Sequence, residues 1–105
     1  MRPKKTRWIK CSTAQRIFKP QVKAISANNQ IILSLDEFEA VRLLDYEHFS
    51  QIAVAKQMHV HRSTVSRIIS SARHKIAQAL VDINTLKVEG GCCKLVKKTS
   101  YKGSR

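Results

Sequence analysis

The sequence predicts a mostly α domain built around a helix-turn-helix, with a basic N-terminal arm and a short β pairing. Three observations lead there. Three glycines and two prolines in 105 residues leave long stretches uninterrupted, which favours helices over a turn-rich β architecture. The apolar positions Val65, Ile68, Ile69, Ala72, Ile76, Ala79, Leu80 and Ile83 keep a 3.6-residue period over about five turns. In "VAKQMHVHRSTVSRI", Val54 to Ile68, small and aliphatic residues stand where two helices crossing at a tight turn need them. A hydrophobic content of 43% suffices for one modest core in a chain of this length.

The elements follow in order. Residues 1–33 read as a basic arm and a short extended segment, anchored by Trp8, Ile9, Ile17 and Phe18 and ending in "NNQIIL". The first seven residues are expected to be mobile until something binds them. Residues 34–84 read as the helical domain. Its first helix opens on "SLDE", a capping box in which Ser34 caps an early N–H and Glu37 reaches back. Leu35, Phe38, Val41 and Leu44 supply its buried stripe, and it ends around Tyr46 to His48. Ser50 caps a short second helix, "SQIAVAKQM", and after "HVH" a longer third helix runs to a stop at Asn84. Residues 85–105 read as a strand of three or four residues in "TLKVEGG" and a basic, cysteine-containing tail with little to hold it down.

Charge narrows the function. Twenty Lys and Arg against seven Asp and Glu give +13, an excess that points to an anionic partner, most commonly nucleic acid. The excess is segregated. Residues 1–25 hold Arg2, Lys4, Lys5, Arg7, Lys10, Arg16, Lys19 and Lys23 with no acid, and the chain is again acid-free from Ser50 to Val81. Asp36, Glu37, Glu39, Asp45 and Glu47 crowd the first helix, where the leading three read as a solvated helix start turned away from the ligand.

Within the helix pair, Ala55 fits the point of closest approach, and Val54, Met58, Val60, Val65 and Ile68 pin the second helix. The outward positions Arg62, Ser63, Thr64, Ser66 and Arg67 are guanidiniums and hydroxyls, groups that reach base edges and phosphates. Two positions depart from the expected pattern. His59 stands at the corner, where glycine takes a left-handed backbone at no cost. His61 stands where Ser or Thr would cap the third helix, with Ser63 offering a cap shifted by two residues.

Other chemistry is poorly represented. Cys11, Cys92 and Cys93 with His59, His61 and His74 are the residue types of a metal or redox site, but the spacings of a zinc site are missing and no metal or cofactor is expected. Neither a nucleophile with its base nor a phosphate loop is evident, so an enzyme is not expected. Nor does a stacking platform for structured RNA emerge from Trp8, Phe18 and Tyr101. The lack of a signal-peptide core or an apolar run of about 20 residues predicts a cytoplasmic protein with reduced thiols.

The strings "RPKKTRWI", "FKP", "LSLDEFEAVRLLDYE", "VAKQMHVHRSTVSRIISSARHKIAQAL" and "LKVEGG", from Arg2 to Gly91, resemble an uncharacterised family of small prokaryotic proteins with a predicted DNA-binding role. Their central part is similar to region 4 of the sigma-70 factors, the helix-turn-helix that reads the promoter −35 element. The resemblance implies that Arg62, Ser63, Thr64, Ser66 and Arg67 occupy base-reading positions and that Gln51 meets a phosphate. The family typically has Gly at the place of His59 and Ser at that of His61. Some relatives carry a further domain resembling iron–molybdenum cofactor-binding proteins, of which the tail here keeps only "CC".

The expectation is thus a transcriptional regulator that binds duplex DNA. The helix from about Arg62 would enter the major groove, Arg73 and Lys75 would meet phosphate or solvent, and Arg2, Lys4, Lys5 and Arg7 would track the backbone or minor groove. A homodimer on a two-fold site is expected with it. A second reading makes the chain a protein-interaction module, its acidic helix over residues 34–47 docking RNA polymerase or another regulator.

Overall fold

The computed structural model describes residues 7–10, 15–21 and 29–90, and the backbone of 93–95. Five strands and three helices follow one another as β1 (Arg7–Ile9), β2 (Arg16–Phe18), β3 (Gln30–Leu33), α1 (Leu35–Val41), α2 (Gln51–Met58), α3 (Arg62–Val81), β4 (Thr85–Val88) and β5 (Cys93–Leu95). The fold is mixed α/β, so the mostly α expectation needs correcting. Short strands far apart in sequence carry little local signal, and their pairing becomes visible only in three dimensions.

Strand β4 is the centre of a three-stranded sheet, antiparallel to β2 and parallel to β3. The expected strands at "QIIL" and "TLKV" are therefore partners, with Gln30 opposite Thr85 and Leu33 opposite Val88. Strand β1 pairs in parallel with β5, Arg7 opposite Cys93 and Ile9 opposite Leu95. Part of the tail expected to be loose is thus held by backbone hydrogen bonds to the N-terminal segment. Arg2, Lys4, Lys5, Cys11 and Cys92 lie outside the described residues.

Helix α1 starts as its sequence predicts. Ser34 and Glu37 form the reciprocal capping box, and the Leu35 N–H donates to the Gly90 carbonyl at 2.9 Å. Gly90 turns that carbonyl inward at φ +80, a conformation open to glycine at no cost. From Arg42 to Tyr46 the helix widens into a π-type turn and stops at His48, whose φ is +64.

The expected apolar stripe of α1 is displaced. Leu35, Phe38, Val41 and Leu44 are half-buried, while Ala40 and Leu43 are fully enclosed. The reason is that α1 is covered on two sides, by α3 and by β1.

The acids of α1 are the larger correction, because they do not face solvent. Asp36, Glu37 and Glu39 are all buried, Glu39 to 1% exposure. Arg7 bonds Asp36 at 2.8 Å. Glu39 receives the Lys10 N–H at 2.8 Å and the Arg42 guanidinium at 2.8 and 3.1 Å. Glu37 accepts from the Ser34 N–H at 2.9 Å, the Ser71 hydroxyl at 2.5 Å and Lys75 at 2.8 Å. A charge removed from water is tolerated only when paired in this way. Nothing in the local sequence reports it, since Lys75 lies 38 positions from Glu37.

One apolar core joins α1, α2 and α3 through Ala40, Leu43, Phe49, Val54, Met58, Val65, Ile68 and Ile69. A second, around Leu33, Ala72 and Val88, seats α3 on the sheet, and Val41 packs against both. Ala72 is fully enclosed there, at the place where α3 meets the sheet and a larger side chain would not fit. Among the described residues no helix is long and apolar enough to cross a membrane.

Burial pushes the Glu37 carboxyl up, but the bonds from Lys75, Ser71 and Ser34 outweigh it and hold the group below its usual value of 4.5. The stabilisation is therefore complete above the unfolded value and is lost as pH falls through the lower folded one. Thermal unfolding followed from pH 7 downwards should show melting temperature dropping below about pH 4.5. Glu37→Gln should flatten that drop and cost about 1–3 kcal/mol at neutral pH by leaving Lys75 without its partner.

Candidate nucleic-acid interface

Helices α2 and α3 are joined by His59, Val60 and His61. Ser50 caps α2, its hydroxyl accepting from the Ala53 N–H at 3.1 Å. Met58 ends it because His59 takes the left-handed conformation, φ 57 and ψ 46. His59 thus does what glycine would do, at a backbone cost of about 1–2 kcal/mol. Part of that cost is offset by the Trp8 ring of β1, which stacks on the imidazole with centroids 3.5 Å apart and planes 21° from parallel. The corner is thereby tied to the N-terminal strand.

At the start of α3 the cap is not shifted to Ser63. His61 itself is the cap, its Nδ1 accepting from the Ser63 N–H at 3.2 Å and lying 2.9 Å from the Ser63 hydroxyl. The ring nitrogen stands in for the usual hydroxyl oxygen, so α3 begins at Arg62 without slipping.

One face of α3 follows from the helical period. Arg62, Ser63, Ser66, Arg67, Ser70, Arg73 and His74 fall within a single exposed sector. The Ser66 hydroxyl donates to Gln51 Oε1 at 3.0 Å, joining the first turn of α2 to this sector. The structure therefore brings together Gln51, Arg62, Ser63, Ser66 and Arg67. Thr64 sits half-buried on the flank. Arg73 lies further along the sector but is held by Asp45 at 2.6 Å, a bond that raises its already high pKa. Arg7 is elsewhere, committed to Asp36.

The internal pairs decide which cations remain available. Arg7, Arg42, Arg73, Lys75 and Lys87 each hold a carboxylate. Arg16 lies over the Phe38 ring at 4.4 Å. Four exposed cations pair with no described residue, Lys19 beyond β2 and Lys56, Arg62 and Arg67, of which the last three belong to α2 and α3. Lys56, Ser70 and His74 were not among the residues expected to bind. The acid-free run from Ser50 to Val81 carries their signal, and for Ser70 and His74 so does the helical period continued past the first two turns of α3.

Among the described residues no three His, Cys, Asp or Glu side chains converge as metal ligands would. Of Cys93 only the backbone is described.

A family profile described as "Protein of unknown function DUF134" matches residues 1–96. A UPF0251 protein of Thermoanaerobacter pseudethanolicus is 43% identical over 90 residues, covering 86% of this chain and 76% of its own length. One from Caldanaerobacter subterraneus subsp. tengcongensis is 44% identical over 90 residues, with the same coverage. A UPF0251 protein of the archaeon Methanosarcina mazei is 36% identical over 91 residues, covering 87% of this chain and 56% of its own. No solved structure matches the chain significantly.

The corner generates a test that separates backbone from ring. His59→Ala should lower stability by about 1 kcal/mol, since the stack is lost and the left-handed cost stays. His59→Gly loses the same stack but sheds the backbone cost, and should melt within about 0.5 kcal/mol of the parent. Equal melting temperatures for the two variants would show that the corner is not strained.

Proposed function

We infer that this chain, which belongs to the family described as a protein of unknown function DUF134, binds duplex DNA through α3 and regulates transcription in the cytoplasm. One observation carries the reading. In a chain of net charge +13, five described basic side chains are paired with carboxylates of the chain itself, while three of the four described cations left unpaired, Lys56, Arg62 and Arg67, stand on the outside of one helix pair.

The geometry of that pair supports a helix-turn-helix. A short helix meets a long one at a three-residue turn with a left-handed corner, and Ala55 is buried between them. The likeness to sigma-70 region 4 belongs to the same proposal. In it, the first turns of α3 lie in the major groove, where Arg62 and Arg67 can each offer paired donors to guanine O6 and N7. Ser66 and Gln51, already bonded to each other, present a hydroxyl and an amide to a base edge or a phosphate. Arg2, Lys4 and Lys5 would follow the backbone beside them. The acids of α1 are poorly placed to dock RNA polymerase, because Asp36, Glu37 and Glu39 are buried and bonded.

Selection from random duplexes should enrich a defined motif, and failure to enrich one would overturn the reading. With about five phosphates neutralised, log K against log salt should slope at roughly −4 to −5. Arg67→Ala should cost about 1–3 kcal/mol and relax preference at one base position, measured by titration of the selected site and its variants. Asp45→Asn should tighten binding to all sequences alike and steepen the salt slope by about 1, because it releases Arg73 on the same sector.

A further inference from the structure

The last turn of α3 runs against the preferences obeyed elsewhere in the chain. Leu80 and Val81 are 76% and 78% exposed. Asp82 puts a carboxylate at the negative end of a 20-residue helix, where a cation is preferred. Ile83 takes φ 57, a conformation in which a β-branched side chain is strained. Asn84, the next residue, is a type that accepts that conformation at lower cost. The left-handed turn closes α3, the Asn84 N–H donating to the Ala79 carbonyl at 2.9 Å, but the helix end gains nothing from exposing Leu80 and Val81 or from a β-branched residue at the turn.

Their surroundings suggest what does. Ile76, Leu80 and Ile83 form one wall of a groove of about 400 Å³, and Phe18, Lys19 and Pro20 form the other. Phe18 is itself 62% exposed. The other six carboxylates of the chain each hold a basic partner, and Asp82 alone pairs with no described residue. Lys19 is likewise unpaired among the described residues. The groove is therefore apolar along its length, with the free cation Lys19 on one wall and the free anion Asp82 next in the chain to Ile83 of the other, just outside the lining.

We propose that a second copy of this chain docks in the groove about a two-fold axis, Lys19 of each copy meeting Asp82 of the other and Phe18 and Leu80 packing between them. An isologous contact requires a surface that complements itself, and one charge of each sign beside an apolar strip has that property. A nucleic-acid backbone would be repelled by Asp82. A strongly acidic partner would find one lysine only. In the dimer Asp82 gains the cation it lacks, and Ile83 buries the side chain for which its backbone is strained.

The position agrees with the reading of α3 as a DNA helix, although the groove contact itself does not depend on that reading. At 1.5 Å per residue Leu80 is about 21 Å from Ser66, so a two-fold axis at the groove leaves both reading ends outermost. Their separation reaches about 42 Å when the helices are collinear, and a half-site spacing of about 34 Å is met when they are inclined.

Sedimentation of the full chain, without DNA and in ~0.3 M salt to screen repulsion between basic copies, tests the contact. A species of about twice 12.0 kDa is expected. Leu80→Glu should raise the dissociation constant by at least ~10-fold, with an unchanged far-UV spectrum showing that the monomer still folds. Lys19→Asp and Asp82→Lys should each weaken the dimer, and the double variant should restore it. A monomer at every concentration, a dimer indifferent to Leu80→Glu, or single charge variants that do not rescue each other would overturn the proposal. A dimer that fails to bind DNA would defeat the reading of α3 and leave this one standing. A monomer that binds DNA would do the reverse.

Discussion

Three carboxylates taken out of water, Asp36, Glu37 and Glu39, set the terms for the rest of the molecule. Each must be paired, and the partners come from every part of the chain: Arg7 from β1, the Lys10 backbone just beyond it, Arg42 from the same helix, and Ser71 and Lys75 from α3. Breaking such a pair costs more than forming it gains, so the network acts chiefly as a specification of which elements meet. It holds α1 between β1 and α3. That placement brings Phe38 and Val41 against the sheet core and Leu43 into the helical core.

The same network divides the positive charge. Cations beside α1 serve the fold, and Asp45 and Glu47 hold Arg73 and Arg42 at its far end. Among the described residues, three of the four cations left over, Lys56, Arg62 and Arg67, lie on the outside of α2 and α3, and the fourth is Lys19 beyond β2. A chain with the same +13 but acids spread evenly would carry a uniform, weak positive surface. Here the internal pairing leaves most of the described unpaired charge on one helix pair, and such clustering raises local potential for an anionic partner.

Left-handed residues tell a related story. His48 and His59 end α1 and α2, and histidine is a side chain that tolerates this backbone better than most. At His59 the Trp8 ring adds a contact that glycine could not make, so the corner depends on β1 being in place. Since β1 also pairs with β5, both ends of the described chain bear on the geometry of the helix pair. Ile83 ends α3 in the same way, the Asn84 N–H reaching the Ala79 carbonyl at 2.9 Å, but as a β-branched residue it takes that backbone at a greater cost than the two histidines.

Much of this was legible in the residues. The capping box at Ser34, the cap at Ser50, the end of α1 near His48, the left-handed corner at His59 and the two strands "QIIL" and "TLKV" all depend on interactions within a turn or on a short local pattern. Such features survive in the sequence because cause and effect are neighbours. The acid-free run across α2 and α3 was legible for the same reason. The chain alone did not disclose that the acids of α1 point inward, that Arg7 and Arg73 are engaged, that the imidazole of His61 caps α3, or that β1 pairs with the tail. Those outcomes join residues 28 to 86 positions apart, or turn on the orientation of one ring. Composition determined that the protein would carry a large positive excess; only tertiary packing decided which charges would be left to act, because a buried carboxylate takes its partner from whatever the fold brings within reach.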